Sequence, residues 1–406
     1  MATTYDVEQL LIKESGRIGP DIYRRTVDTS PWLKLVKQDA WPDEMGDSVS
    51  VLVYERSLPY KSDGTPKISW SNLSSNTAYS VSNSAQGSGS CAPSAETIEF
   101  GQTLRTYNLK QAALNSPDIC LNDLRFPLKR KEQLANIMAI LTDATSEVWK
   151  ERYRDEYVRL AEHKVIARPN LEEVSTSAFD GTVAAGNSPT SKLTQGILDR
   201  IYMKLIRDGA GNNVYDRVNG APVFLAIMSS EASDDLIRSN SDVRQDFRWS
   251  DRVNELLSPL GISRTYRGFH HLVDPYAPRW DKVAGSYVRR YPFIRSAAGT
   301  QGVKYDINPA YETAEFEDTI IFHQDVFTSL IPKPISGTGA MNFDPQNFRG
   351  EFTWRNIPDR DNNPDGSIGF FRAVFGSGSK PVFPQYGYVI RHSRCNNDLN
   401  LVGCYS

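Results

Sequence analysis

Residues 127–167 constrain this chain more than any other stretch, because they read as one helix far longer than a small domain needs. Pro127 suits a first helical turn, where its missing N–H leaves nothing unpaired, and Pro169 stops the pattern at the far end. Between them Leu134, Ile137, Met138, Leu141, Thr145, Val148 and Trp149 recur at the three-and-four spacing that gathers side chains on one stripe. Beyond Trp149 the sequence turns polar. Glu151, Arg152, Arg154, Asp155, Glu156, Arg159 and Glu162 leave only Tyr153, Tyr157, Val158 and Leu160 to pack. At about 1.5 Å per residue the element would span roughly 60 Å. It reads as the spine of a plate-shaped subunit, lying across a sheet in one half and reaching neighbours in the other. The alternative is an ordinary amphipathic helix interrupted near residues 142–146.

A chain of 406 residues, 39% hydrophobic, can bury one or two cores and is too long for one simple domain. Its 46 Lys and Arg against 49 Asp and Glu leave no global field that would draw it to nucleic acid or an anionic membrane. No apolar run approaches the roughly 18 residues of a membrane span, and residues 1–9 lack the basic-then-apolar order of a secretory signal. The expectation is a protein made and kept in a cytoplasm, without a membrane partner. Cys91, Cys120, Cys395 and Cys404 are too scattered for a disulfide scaffold, and none forms a C-x-x-C pair. They read as reduced thiols, with a late pairing of Cys395 and Cys404 as the alternative.

Ahead of the first strand, Val7, Leu10 and Leu11 mark a short helix. A second follows at Ser30 and Pro31, with Trp32, Leu33, Leu35 and Val36 as its contacts. Neither holds itself together, so this region reads as an arm that packs on something else. Val49, Val51 and Val53 alternate with Ser48, Ser50 and Leu52 in a half-buried strand, whose partner starts at Thr97 and runs past Gly101 toward Tyr107. Of the 34 residues at 61–94, 11 are serine, yet Ile68, Trp70, Leu73, Tyr79 and Val81 lie among them. Structureless loops beyond about 15 residues are rare in compact domains, and plain linkers seldom carry aromatics. This region is expected to be a two-stranded arm whose apolar groups are covered by another subunit.

After the long helix, Leu193, Ile197, Ile201 and Leu205 mark an amphipathic helix, entered at Thr190 or Ser191 and closed by Gly209. Residues 222–228 form a short apolar run, the pattern of a strand buried on both faces. Helices near residues 231–238 and 251–257 lead to a strand at 268–273, so that 193–295 resembles a second, βα lobe inserted into the first. Residues 320–331 are strongly apolar and are expected to return as a strand and a short helix. The tail carries two further strands, at 368–375 and 386–390.

The signatures of chemistry are mostly missing. There is no G-x-x-x-x-G-K-[ST], no G-x-G-x-x-G and no G-x-S-x-G, so neither a catalytic residue nor a cofactor is assigned and an enzyme is not expected. His270 and His271 are adjacent and, on a strand, point to opposite faces; they share no metal without help. Asp361, Asn363, Asp365, Gly366 and Ile368 match the start of an EF-hand calcium loop. Arg372 stands where its bidentate Glu belongs, and an Asx-rich turn explains the stretch more economically. Asp361, Asn363 and Asp365 therefore remain weak metal candidates.

The order of these elements, arm, long β-loop, long charged helix, βα lobe and returning strand, resembles the major capsid proteins of tailed bacteriophages with the Hong Kong 97 phage fold. Phrases at 342–348, 354–359, 363–371 and 386–392 are similar to the carboxyl ends of one group of them. The resemblance implies an α+β capsid fold in six parts. These are an N-terminal arm (1–45), an extended β-loop (46–110), a peripheral domain with the spine helix (111–192), an axial domain (193–300), a return to the peripheral domain (301–341) and a C-terminal segment (342–406).

It also implies self-assembly into the pentamers and hexamers of an icosahedral head around double-stranded DNA, in a virion assembled in the cytoplasm of a bacterial host. Trp32, Ile68, Trp70, Leu73, Tyr79 and Val81 are then expected at intersubunit contacts. The partners implied are further copies of the chain, a separate scaffolding protein, a portal protein, a decoration or cement protein, and DNA held non-specifically. Three rivals are an encapsulin-type compartment enclosing an enzyme, a hydrolase with an unfamiliar site around His270, His271 and Asp274, and a phage tail or adhesin component.

Overall fold

The strand Phe316–Phe322 organises the larger sheet, pairing antiparallel with Tyr388–Ser393 on one side and Ala221–Met228 on the other. Buried between two neighbours and two covered faces, it has no reason to alternate apolar with polar, and Ile320, Ile321 and Phe322 run consecutively. In this computed structural model the described residues are 31–42, 48–54, 102–116, 118–120, 127–168, 172–174, 179, 188–218, 220–238, 262–266, 268–274, 277–295, 305–333, 351–357 and 368–394. Mixed sheets with few helices make the fold α+β. The chain divides into two units, one of Met1–Met45 with Asn108–Ser406 and one of Gly46–Tyr107.

In the larger unit, a ten-stranded sheet runs in the order Glu172–Val174, His163–Ile166, Tyr388–Ser393, Phe316–Phe322, Ala221–Met228, Phe269–Val273 and Ile262–Tyr266. Asp216–Val218 and the hairpin Arg279–Val283/Ser286–Arg290 attach at its side. Alternate residues face opposite ways. Leu225, Ile227, Leu272, Ile320, Phe322 and Val389 meet the long helix Pro127–Leu160 through Trp149, Tyr153 and Tyr157. On the other face Phe224, Ala226, Phe269, Ile321 and Ile390 meet Ile197, Leu198, Ile201 and Leu205 of the helix Gln195–Arg207, and Ala232 and Leu236 of Ser230–Arg238.

In the same unit the strand Phe327–Ile331 lies between Gln38–Ala40, parallel to it, and Ile368–Pro381, antiparallel. Ile368–Pro381 also pairs with Glu351–Asn356, Ile119–Cys120 and residues 109–115. Within Gly46–Tyr107, Ser48–Tyr54 pairs with the strand Gln102–Asn115, and Ser50 Oγ lies 2.8 Å from Thr106 Oγ1.

Several expectations are corrected. The long helix is continuous through residues 142–146 but stops at Leu160, about 50 Å of helix rather than 60. The β-branched pair Val165–Ile166 then joins a parallel ladder with Tyr388–Ser393, which satisfies backbone groups that a longer helix would also have satisfied. Residues 327–331 are a strand, not a short helix, because two neighbouring strands are available to pair with them. Thr194, not Thr190 or Ser191, occupies the N-cap of Gln195–Arg207, while Gly209 closes it with a φ of 84°. The helices expected at 5–12 and 251–257, and the strand start at 97–100, lie outside the described residues.

Candidate functional site

The lower half of the long helix positions most of the buried polar chemistry. Trp149, Tyr153 and Tyr157, four residues apart, put three aromatic rings on one line against Phe375, Phe327 and Phe322. Tyr157 OH donates to Ile321 O at 2.7 Å and accepts from His323 N at 2.9 Å, and burial pushes the phenol far above its ordinary range. The next face of the helix is cationic and meets one carboxylate. Asp274 lies 3.4 Å from Lys150 Nζ and 3.7 Å from Arg154 Nη1, and accepts from Trp32 Nε1 at 3.2 Å. Burial lowers the Lys150 ammonium below its usual value, with Asp274 opposing that shift.

Two more arginine systems tie the strand Tyr388–Ser393 to its surroundings. Arg391 donates to both oxygens of Asp318 at 2.8 and 2.9 Å and to Phe179 O at 2.6 Å, with its guanidinium over the rings of Phe179, Trp280 and Tyr287. Arg394 donates to both oxygens of Glu231, and Arg279 donates to Glu231 Oε1 at 2.5 Å. Burial alone would raise the Glu231 carboxyl, but Arg394 and Arg279 hold it below the usual range. Sequence reasoning missed these groups. The signal that could have found Arg391 is a cation directly after the apolar run Tyr388, Val389 and Ile390 of the strand Tyr388–Ser393.

The hydrolase candidates do not form one site. His270 and His271 are both buried on neighbouring strand positions. His270 Nε2 bonds Asp216 Oδ2 at 3.1 Å, whereas Asp274 is committed to Lys150, Arg154 and Trp32. Trp32, expected at an intersubunit contact, is 1% exposed and packs inside its own chain against Tyr157 and Phe322. Its indole N–H also finds an internal acceptor, so nothing of the side chain is left to offer a neighbour. Ile68, Trp70, Leu73, Tyr79 and Val81, and the metal candidates Asp361, Asn363 and Asp365, lie outside the described residues. Among the described residues no three His, Cys, Asp or Glu side chains gather as metal ligands would, and no helix is long and apolar enough to cross a membrane.

A cavity of about 250 Å³ lies between Trp32, Ile227, Trp280 and Ile320, with Arg154 and Asp274 on its wall. Each carboxylate lining it is paired with a cation: Asp155 with Arg289, Asp274 with Arg154, and Asp318 with Arg391.

No family model matches the chain, and no curated protein matches it. Solved structures do. The capsid of Ralstonia phage GP4 is similar at 12% identity with a TM-score of 0.48, over 90% of this chain and 89% of that one. The cyanophage Pam1 capsid is similar at 13% identity and 0.44, over 91% and 93%. The holo-SrpI encapsulin complex from Synechococcus elongatus is similar at 12% and 0.38, over 72% and 77%. Two of these are phage capsids and the third is an encapsulin.

Proposed function

We propose that this chain is a structural subunit that assembles with copies of itself into the icosahedral head of a tailed phage, as hexamers and pentamers enclosing double-stranded DNA. The observation that carries the reading is the exposure of Leu52, 43%, and Leu104, 66%, in the unit Gly46–Tyr107, while buried charges of the other unit are tied to one another. Apolar groups left open on a small unit find cover when copies associate, and a body locked by ion pairs supplies a rigid tile. The order of elements along the chain supports the same reading. Residues 1–45 are then an arm, 46–110 the loop that overlaps an adjacent subunit, 111–192 and 301–341 the peripheral part, 193–300 the axial part, and 342–406 the closing segment.

On this reading Ile68, Trp70, Leu73, Tyr79 and Val81 are intersubunit contacts, and a scaffolding protein, a portal protein and a decoration protein are partners during assembly in the host cytoplasm. The test is expression of the full chain with and without its scaffold, followed by negative-stain imaging and light scattering. Closed shells are expected. A lone, stable monomer under every condition would overturn the proposal. Nucleic acid inside purified particles separates a phage head from a compartment of the encapsulin type, which would hold protein instead.

A further inference from the structure

The short segment at residues 210–216, between the helix Gln195–Arg207 and the strand Ala221–Met228, is held by hydrogen bonds from several elements. His323 Nε2 lies 2.9 Å from Ala210 O. Asn213 Nδ2 donates to both oxygens of Asp325, at 2.7 and 2.8 Å, and Gln324 Nε2 donates back to Asn213 Oδ1 at 2.6 Å. Tyr215 OH donates to Leu35 O at 2.5 Å, and Asp216 Oδ2 meets His270 Nε2 at 3.1 Å. The turn at 323–325 that makes the first three contacts joins Phe316–Phe322, in the ten-stranded sheet, to Phe327–Ile331, which pairs with Gln38–Ala40 and Ile368–Pro381.

His323 can serve this joint only in one neutral form. The backbone N–H of Asp325 donates to its Nδ1 at 3.2 Å, so the ring proton sits on Nε2 and is donated to Ala210 O. A second proton has to enter at Nδ1, where an N–H already points. We infer that residues 210–216 form an acid-released latch: protonation of His323 breaks the bond from Asp325 N–H, reshapes the turn and frees residues 210–213, while Asp216 stays held by His270.

Among the described residues the groups facing His323 are few. From its own turn comes the carboxylate of Asp325, from the long helix the hydroxyl of Tyr157, from the turn Pro384–Tyr386 the ring of Tyr386, and from Ala221–Met228 the ring of Phe224. Burial lowers the imidazole below its ordinary value, and the Ala210 carbonyl and Asp325 only partly offset it. The unfolded chain therefore takes up the proton first. The stabilisation is complete above about pH 6.5 and is lost as pH falls through the folded value. His270 is also lowered by burial, but a proton there faces the Asp216 carboxylate, and the charged pair keeps that end in place.

The inference does not depend on shell formation. Hydrogen exchange of the full chain, read by mass spectrometry at pH 7.5 and pH 5.0 and corrected for the intrinsic rate, tests it. Residues 210–213 and 323–326 are expected to open about tenfold more per pH unit below the transition, while Asp216–Val218 keeps its protection. His323→Gln keeps a donor for Ala210 O without a titrating ring and should abolish the step. A step that persists in the variant, one that appears equally in every peptide, or no step at all would overturn the latch. Should the variant not fold, histidine C2–H exchange in the natural protein decides. A His323 pKa at or above the ordinary value refutes the inference, and one clearly below it supports it.

Discussion

Tyr157 shows how much one atom can hold. Its hydroxyl satisfies a buried carbonyl of Phe316–Phe322 and a buried amide in the turn that follows. Tyr157→Phe keeps the ring packing and leaves both groups unsatisfied, so a loss of about 1–3 kcal/mol is expected in urea unfolding. Asp274 is the sharper case, because Lys150 and Arg154, both buried, answer to it. Asp274→Ala leaves two cations without that carboxylate and should cost about 3–5 kcal/mol, read as a shift of the denaturation midpoint. If the change proves neutral, the cluster is not a structural joint. Gly268 is fixed by both conformation and space. Its φ is +83° and an added Cβ would lie 2.3 Å from the Tyr202 ring. At the residue scale of assembly, Trp70→Ala should reduce shell yield more than subunit stability, and equal losses would argue that Trp70 serves its own chain.

The elements are tied together by charges that sequence periodicity does not reveal. Glu231, in Ser230–Arg238, is shared by Arg279 of the hairpin and by Arg394 just past Tyr388–Ser393. Because Arg394 and Arg279 hold its carboxyl below the usual value, its contribution is present above about pH 4.5 and is lost as pH falls through the folded value. Glu231→Gln should therefore be less stable at neutral pH and should show a flatter acid limb in thermal unfolding between pH 5 and 3. The carboxylate is partly exposed, so solvent screens the effect. The same reasoning explains the early end of the long helix. Propensity alone would let it continue, but the ladder with Tyr388–Ser393 uses the backbone of His163–Ile166 instead.

For the whole molecule, deletion of residues 61–94 is expected to leave the body folded, with an unchanged thermal transition, and to prevent closed shells on imaging. Normal shells from the deletion would refute the overlapping-loop assignment. Sequence by itself determined the helices and strands whose periodicity is strong: the spine with Leu141, Thr145, Val148 and Trp149 at three-and-four spacing, the stripe of Ile197, Ile201 and Leu205, and the apolar runs at 222–228 and 320–322. It did so because burial of one face leaves a local signature in the order of residues. Which strand lies beside which, and which charge meets which, it did not determine. Phe316–Phe322 joins partners 67 to 97 positions away, and Trp32 finds Asp274 across 242 residues. Such pairings carry no period, so only tertiary packing could turn Trp32 inward, set Asp274 against Lys150 and Arg154, and place His323 where a single proton matters.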